Sequence, residues 1–405
     1  MLTITPIGSC RVATPLRLCR ESHGFRMNMT RIWGYTHSSS EAVQQMRYLK
    51  GEFEPDERVW PLISPKWQTN PRLREPFEPS DLYIVEISSQ KQMQLDGAAI
   101  QLNYLRQAYA DFFADPERAK AFNRLTLHGS EAERRAFLAE HWGSDPRQRE
   151  EADLLARIEM TRTDEAALIR DMEALEAGLG EVLFVTHVNA RDNMGERLAG
   201  RDRFIETVKA AGRKIGARVY DPTALMEQFG QERAIEDHST ALAHFTEPFS
   251  EAVLDDWYER FIHDQIAAMV SENPEDAIER VVVPHAEAFI ATGDADKRDE
   301  VKLLLEAVES YFPANPEAKR LRLELAIVDG SEAEVKRAFF QVAMNSDLSA
   351  LGKLGELLAT LPMIEEWAEE LKEAPVLNAG SAGWLARILR GQGRETLALA
   401  LENRM

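Results

Sequence analysis

The first 260 residues contain a few short, nearly continuous apolar runs set between helical stretches. Leu2-Thr3-Ile4-Thr5-Pro6-Ile7 is the first, and Leu82-Tyr83-Ile84-Val85-Glu86-Ile87 is the second. Val182-Leu183-Phe184-Val185-Thr186-His187 and Ala217-Arg218-Val219-Tyr220 are the third and fourth. Runs this short, rich in β-branched and aromatic residues, fit strands covered on both faces. Helical sequence between them calls for right-handed crossovers and a parallel sheet. The expected fold is therefore a parallel-sheet α/β/α sandwich over residues 1–258. A helical insertion of about 102–175 separates its second and third strands.

Beyond residue 258 the strand pattern stops. Helices of roughly a dozen residues follow one another, broken at Gly293-Asp294, Asp329-Gly330 and Gly391-Gln392-Gly393. Residues 259–405 read as an all-α domain, either a degenerate array of the tetratricopeptide kind or an irregular bundle. Such a domain packs or binds a protein partner and carries no visible chemistry. Helix starts are marked elsewhere too. Ser38 stands three residues before Glu41, which is a capping box, and residues 200–214 read as a crossover helix.

Composition limits the function. Lys and Arg number 48 against 68 Asp and Glu, a net charge of −20 over 405 residues. That balance opposes nucleic-acid binding, which needs concentrated positive charge, and opposes anionic membrane surfaces. No run approaches the roughly 20 apolar residues of a membrane span, and the N-terminus lacks the pattern of a secretory signal. Two cysteines, Cys10 and Cys19, give neither a disulfide framework nor a zinc site. No phosphate loop or metal-ligand cluster stands out, so no cofactor is expected. A cytoplasmic protein is.

The chemistry concentrates at strand ends, where open parallel sheets place their ligands. The first strand ends at Gly8-Ser9-Cys10-Arg11. Gly8 is read as the residue that permits a sharp turn, and a helix starting just beyond would aim its N–H groups at a nucleophile. The second strand ends at Ser88-Ser89, the third at His187-Val188-Asn189, and His244 follows the fourth. Arg11 and Arg17 read as a solvated face or as contacts to an anionic substrate. Trp60 to Trp67 reads as an ordered loop, packed or holding a sugar ring.

These residues resemble the SGNH/GDSL hydrolases. Gly8-Ser9-Cys10 is similar to the first block of the branch that begins Gly-Ser-Cys, which includes GSCFA-type and capsule-polysaccharide-associated proteins. Tyr35-Thr36-His37-Ser38 and Glu86-Ile87-Ser88-Ser89 are similar to that branch as well. The resemblance spans residues 1–258 and implies an SGNH/flavodoxin-like fold. It implies an acyl-ester hydrolase or O-acyltransferase acting on a carbohydrate-related substrate, with an acyl-CoA as a candidate donor. Asn189 stands where the family supplies an oxyanion Asn, and His244 where it supplies the catalytic His. Gly8, Ser88 and His187 would contribute to oxyanion or substrate binding.

Two departures stand out. The nucleophile position holds Cys10, with Ser9 one residue earlier, so either is a candidate. The usual Asp three residues before the His is Ala241; Asp237, seven before it, or the adjacent Glu236 or His238 would orient His244, or the site is a dyad. The alternative is a catalytically degenerate scaffold that binds proteins through its C-terminal helices.

Overall fold

The computed structural model describes residues 1–143, 145–236, 243–292, 295–312, 315–345, 355, 358–359, 361, 363–374 and 377–403. The chain forms two compact units. One is Thr3–Arg20 with Arg26–Glu259, and the other is Arg260–Met405 with Met1–Leu2 and Glu21–Phe25.

The first unit is α/β. Its main sheet holds β1 (Leu2–Ile7), β2 (Phe25–Met27), β3 (Leu82–Ile87), β7 (Val182–Thr186) and β8 (Arg218–Tyr220) in the order β2-β1-β3-β7-β8. The pairings β1–β3, β3–β7 and β7–β8 are parallel, with Ile7 opposite Val85, Ile87 opposite Thr186 and Val185 opposite Tyr220. Side chains alternate between the faces of a strand. Ile7, Tyr83, Val85, Ile87 and Phe184 turn to one face. They pack there with Ala42 and Met46 of α2 (Ser39–Leu49), Leu168 and Met172 of α3 (Glu165–Leu179) and Val208 of α4 (Ala199–Ile215). Leu82, Ile84 and Glu86 therefore turn to the opposite face. There α1 (Cys10–Cys19) buries Arg11, Val12 and Leu16 and packs on α5 (Glu247–Trp257).

Between β3 and α3 lies a second sheet of order β5-β4-β6, all antiparallel: β4 (Lys91–Leu95), β5 (Ala98–Ile100) and β6 (Glu159–Arg162). Asp96 and Gly97 turn the β4–β5 hairpin with φ of 52° and 82°, the left-handed pair that tight hairpins require. Helices between Leu102 and Ala156 cover this sheet, burying Phe112, Phe122, Leu138 and Leu155 with Met93, Leu95 and Met160. The helical insertion expected over about 102–175 is present and also contributes the short strand β6. That strand buries only Met160 and exposes Glu159, Thr161 and Arg162, so it carries no apolar run to be read.

From Arg260 onward the second unit is helical among the described residues. Two π-helical turns, Tyr258–Ile262 and Ile278–Val282, interrupt its first helices or run up to them. Pro316–Asp329 packs against Glu332–Asn345, and Ala379–Gly391 against Glu395–Glu402. Their interior is apolar, built from Leu323, Phe339, Trp367, Leu371, Leu385 and Leu401 among others. No helix among the described residues is long and apolar enough to cross a membrane.

Candidate functional site

The site grows out of the end of β1. Ser9 has extended backbone angles (φ −97°, ψ −167°) and is the N-cap of α1, its Oγ accepting the Arg11 N–H at 3.3 Å. Cys10 is the first helical residue, so its N–H is one of the donors a helix start leaves without an intrahelical partner. Gly8 is needed for room. A Cβ there would lie 2.6 Å from both Glu86 Cβ and Val12 Cγ2, while its φ is not positive. The chain bends at Gly8 and Ser9, and the glycine serves there to admit the close approach of β3.

Glu86 is fully buried at the end of β3 and organises what surrounds it. Its Oε2 accepts the Ser9 N–H at 2.7 Å, and its Oε1 accepts Arg11 Nε–H at 3.1 Å and Nη2–H as well. Arg11 Nη2 also donates to Ser88 Oγ at 3.1 Å, which lies 3.2 Å from His37 Nδ1. That ring nitrogen is 3.5 Å from Glu86 Oε1. Burial alone would push the Glu86 carboxyl up, but the Arg11 charge and contacts from His37 and Ser88 outweigh it and hold the group well below the usual carboxylate range. Arg11 is 5% exposed, so the solvated-face reading is corrected: its charge is spent on a buried carboxylate. Arg17 is exposed.

Ser9, Cys10, His37, Ser88, His187 and His244 line a cavity of about 410 Å³. Glu41 and Lys91 reach it too. Glu41 forms the capping box of α2 with Ser38, and its Oε2 accepts the His37 N–H at 2.6 Å. Burial pushes its carboxyl up to about 7, even though His37 and the N–H donors pull it down. His187 Nδ1 lies 2.6 Å from the Val188 carbonyl. A carbonyl only accepts, so Nδ1 carries the hydrogen and Nε2 holds the lone pair. Burial, then the charges of Arg11 and Arg201, keep this imidazole neutral, its pKa well below the usual histidine value. His244 is exposed, and its backbone carbonyl accepts the Glu236 N–H at 2.9 Å. Asp237 and Ala241 lie outside the described residues.

The Cys10 thiol is raised above its ordinary value by burial, with Arg11 opposing and Glu86 reinforcing. It stays protonated at neutral pH, so any nucleophilic role needs a base beside it.

The expected oxyanion donors are committed elsewhere. The Ser9 N–H goes to Glu86, and the Ser88 N–H goes to the His37 carbonyl at 2.8 Å. Asn189 is buried, with its N–H on Thr223 Oγ at 3.0 Å and its Nδ2 on Asp202 Oδ1 at 3.1 Å, and it is not among the residues lining this cavity. The chain beyond β7 turns toward β8 and carries Asn189 with it. Gly8 lines a neighbouring cavity instead. Trp60 is buried and stacked on Trp67 (5.6 Å, 8°), so this pair packs. Sequence reasoning missed Glu86 as a site residue. The signal was there: a carboxylate inside a run read as buried on both faces demands a charged partner. Among the described residues, no group of three His, Cys, Asp or Glu could hold a metal ion.

Known proteins resemble the part of the chain that contains this cavity. The profile of the TviD N-terminal domain family matches residues 2–260. The Vi polysaccharide biosynthesis protein TviD of Salmonella typhi is 35% identical over 256 residues, 63% of this chain and 31% of that protein. The chain thus spans about a third of the length of this relative, and no solved structure matches it. The match covers more than half of the chain, and the chain belongs to the TviD N-terminal domain family.

Proposed function

We propose that the α/β unit is an acyl-transfer enzyme of the SGNH type with Cys10 as its nucleophile, acting on a carbohydrate as an esterase or an O-acyltransferase. The observation that carries this reading is a half-buried thiol at the first residue of α1, opening on a cavity shared with three histidines. Ser9 is the weaker candidate because its hydroxyl caps the helix and its residue is 3% exposed. His244 removes the thiol proton, and sulfur attacks the carbonyl of an ester or acyl-CoA. The Cys10 N–H, at the positive end of α1, meets the oxyanion. The tetrahedral adduct collapses to an acyl-cysteine, and the leaving oxygen or sulfur takes the proton back from His244. Water or a sugar hydroxyl then attacks the acyl carbon while His244 takes its proton, the C–S bond breaks to release the acid or the new ester, and the Cys10 thiolate recovers the proton from His244. His187, held neutral with its Nε2 lone pair, is the substrate-facing acceptor. Support for a carbohydrate comes from the relative, whose name places it in polysaccharide biosynthesis. A cytoplasmic setting belongs to the same reading, in keeping with two cysteines that form no disulfide.

The test is turnover of p-nitrophenyl acetate and of acetyl-CoA with an oligosaccharide acceptor. Cys10→Ala and His244→Ala are expected to lose about 100-fold or more. Ser9→Ala keeps turnover and loses about 1 kcal/mol of stability with its cap. Wild-type rates in Cys10→Ala would sink the reading. A second reading, a scaffold without catalysis, is favoured by the three committed donors. Wild type and all variants turning over at the background rate would select it.

A further inference from the structure

We propose that a second cavity, flanking the Gly8-Ser9-Cys10 turn on its other side, is the subsite that holds a pyranose ring of the acceptor saccharide, stacked on Tyr35. This cavity measures about 450 Å³, within the roughly 300–1,000 Å³ of small-ligand clefts. Gly8 lines it while Ser9 and Cys10 line the first cavity, and Tyr35 lines both. A ligand held here would have its neighbouring ring or hydroxyls directed past Tyr35 toward Cys10.

Tyr35 is built for an external partner. It is 46% exposed, its ring stacks on Tyr104 (6.1 Å, 14°), and its N–H donates to Tyr104 Oη at 3.1 Å. Gly34 makes this possible: at φ +156° it leaves the space where a Cβ would meet Tyr104 Oη at 2.8 Å. The platform is thereby rigid before any ligand arrives, which lowers the entropic cost of binding. Trp60 and Trp67 differ, because each covers the other's face.

The polar groups around the platform suit hydroxyls. Asn70, Gln107, Ser64 and Tyr104 line the cavity with Lys66, which is the only charged residue among the described residues lining it. In a chain of net charge −20, a cavity without a carboxylate is not a sample of the average surface. An aromatic face for the C–H side of a sugar, with amides and hydroxyls at its edge, matches a pyranose better than it matches a cation or a purely apolar acyl chain. The word acceptor rests on the acyl-transfer reading, whereas the binding itself does not.

The experiment is calorimetric titration of the full chain as Cys10→Ala, so that binding is measured without turnover. The probes are hexamers of glucose, of N-acetylglucosamine and of galacturonate. At least one is expected to bind, with affinity lowered tenfold or more in Tyr35→Ala and restored in Tyr35→Phe. Lys66→Met is expected to weaken the galacturonate hexamer more than the glucose hexamer. Failure of all three hexamers to bind, or binding by Tyr35→Ala equal to its parent, overturns the subsite. Binding by a chain that proves inactive in acetyl transfer keeps the subsite and rejects only the acceptor role.

Discussion

The two units bury different things. At the carboxyl ends of β1 and β3 the α/β unit encloses Arg11, Glu86 and Glu41, all under a tenth exposed. The apolar core of the helical unit is Leu, Ile, Val, Ala, Phe and Trp, His285 and Lys319 are buried in the unit as well, and ion pairs such as Arg390–Glu402 and Lys336–Glu370 sit at its surface. Buried charge adds little net stability and is strongly destabilising once a partner is removed. A fold gains from it mainly a fixed geometry, here at the edge of the cavity. The α/β unit buries an ion pair beside its cavity, and the apolar cluster of the helical unit holds none among the described residues.

The sharpest way to break the contrast is Arg11→Met. Glu86 would then be buried without its cation, and we expect a loss of about 3–5 kcal/mol in urea unfolding. Arg11→Met with Glu86→Leu is expected to recover most of it. A double variant as unstable as the single would show that geometry, not the stranded charge, was lost. The Glu86 carboxyl is depressed in the fold, so its contribution is present above about pH 4.5 and is lost as pH falls through the folded value.

Glu41 has the opposite sign. Its carboxyl titrates near 7 in the fold against an ordinary 4.5. Below pH 4.5 both states hold the proton and nothing is lost. From 4.5 to 7 the unfolded chain ionises first, and stability falls by on the order of 3 kcal/mol. Glu41→Gln removes that fall. Unfolding free energies measured from pH 4 to 8 should converge with the wild type in acid and exceed it at pH 8. Parallel curves would refute the ionisation.

The smallest effect belongs to the helical core. Ile364→Val, at a residue 1% exposed, should lower stability by about 1 kcal/mol and leave the proposed acyl transfer unchanged. A change in turnover would give the helical unit a part in the chemistry.

The main strands were legible because each is an apolar run bounded by turn residues, as Leu82–Ile87 is after Pro79-Ser80-Asp81. The Ser38–Glu41 capping box was legible too, because all its signals lie within four residues. β2 was not, since three residues with one buried side chain make no pattern. β4 alternates and is followed by Asp96-Gly97, a hairpin signal available in the sequence and passed over. The Arg11–Glu86 pair joins positions 75 apart, and no local rule links them. The fate of Asn189 depends on Thr223 and Asp202, in elements whose approach only the folded chain decides.

The bond from the Ser9 N–H to Glu86 also has a kinetic side. Its partners are 77 residues apart, so it cannot form together with the local cap of α1, in which Ser9 Oγ accepts the Arg11 N–H. It must wait for β1 and β3 to align, and long loops of this kind close late. The thiol at Cys10 therefore acquires its native surroundings only once β1 and β3 have met. A nascent chain carries an ordinary cysteine there, and closure of the sheet turns it into the shielded one.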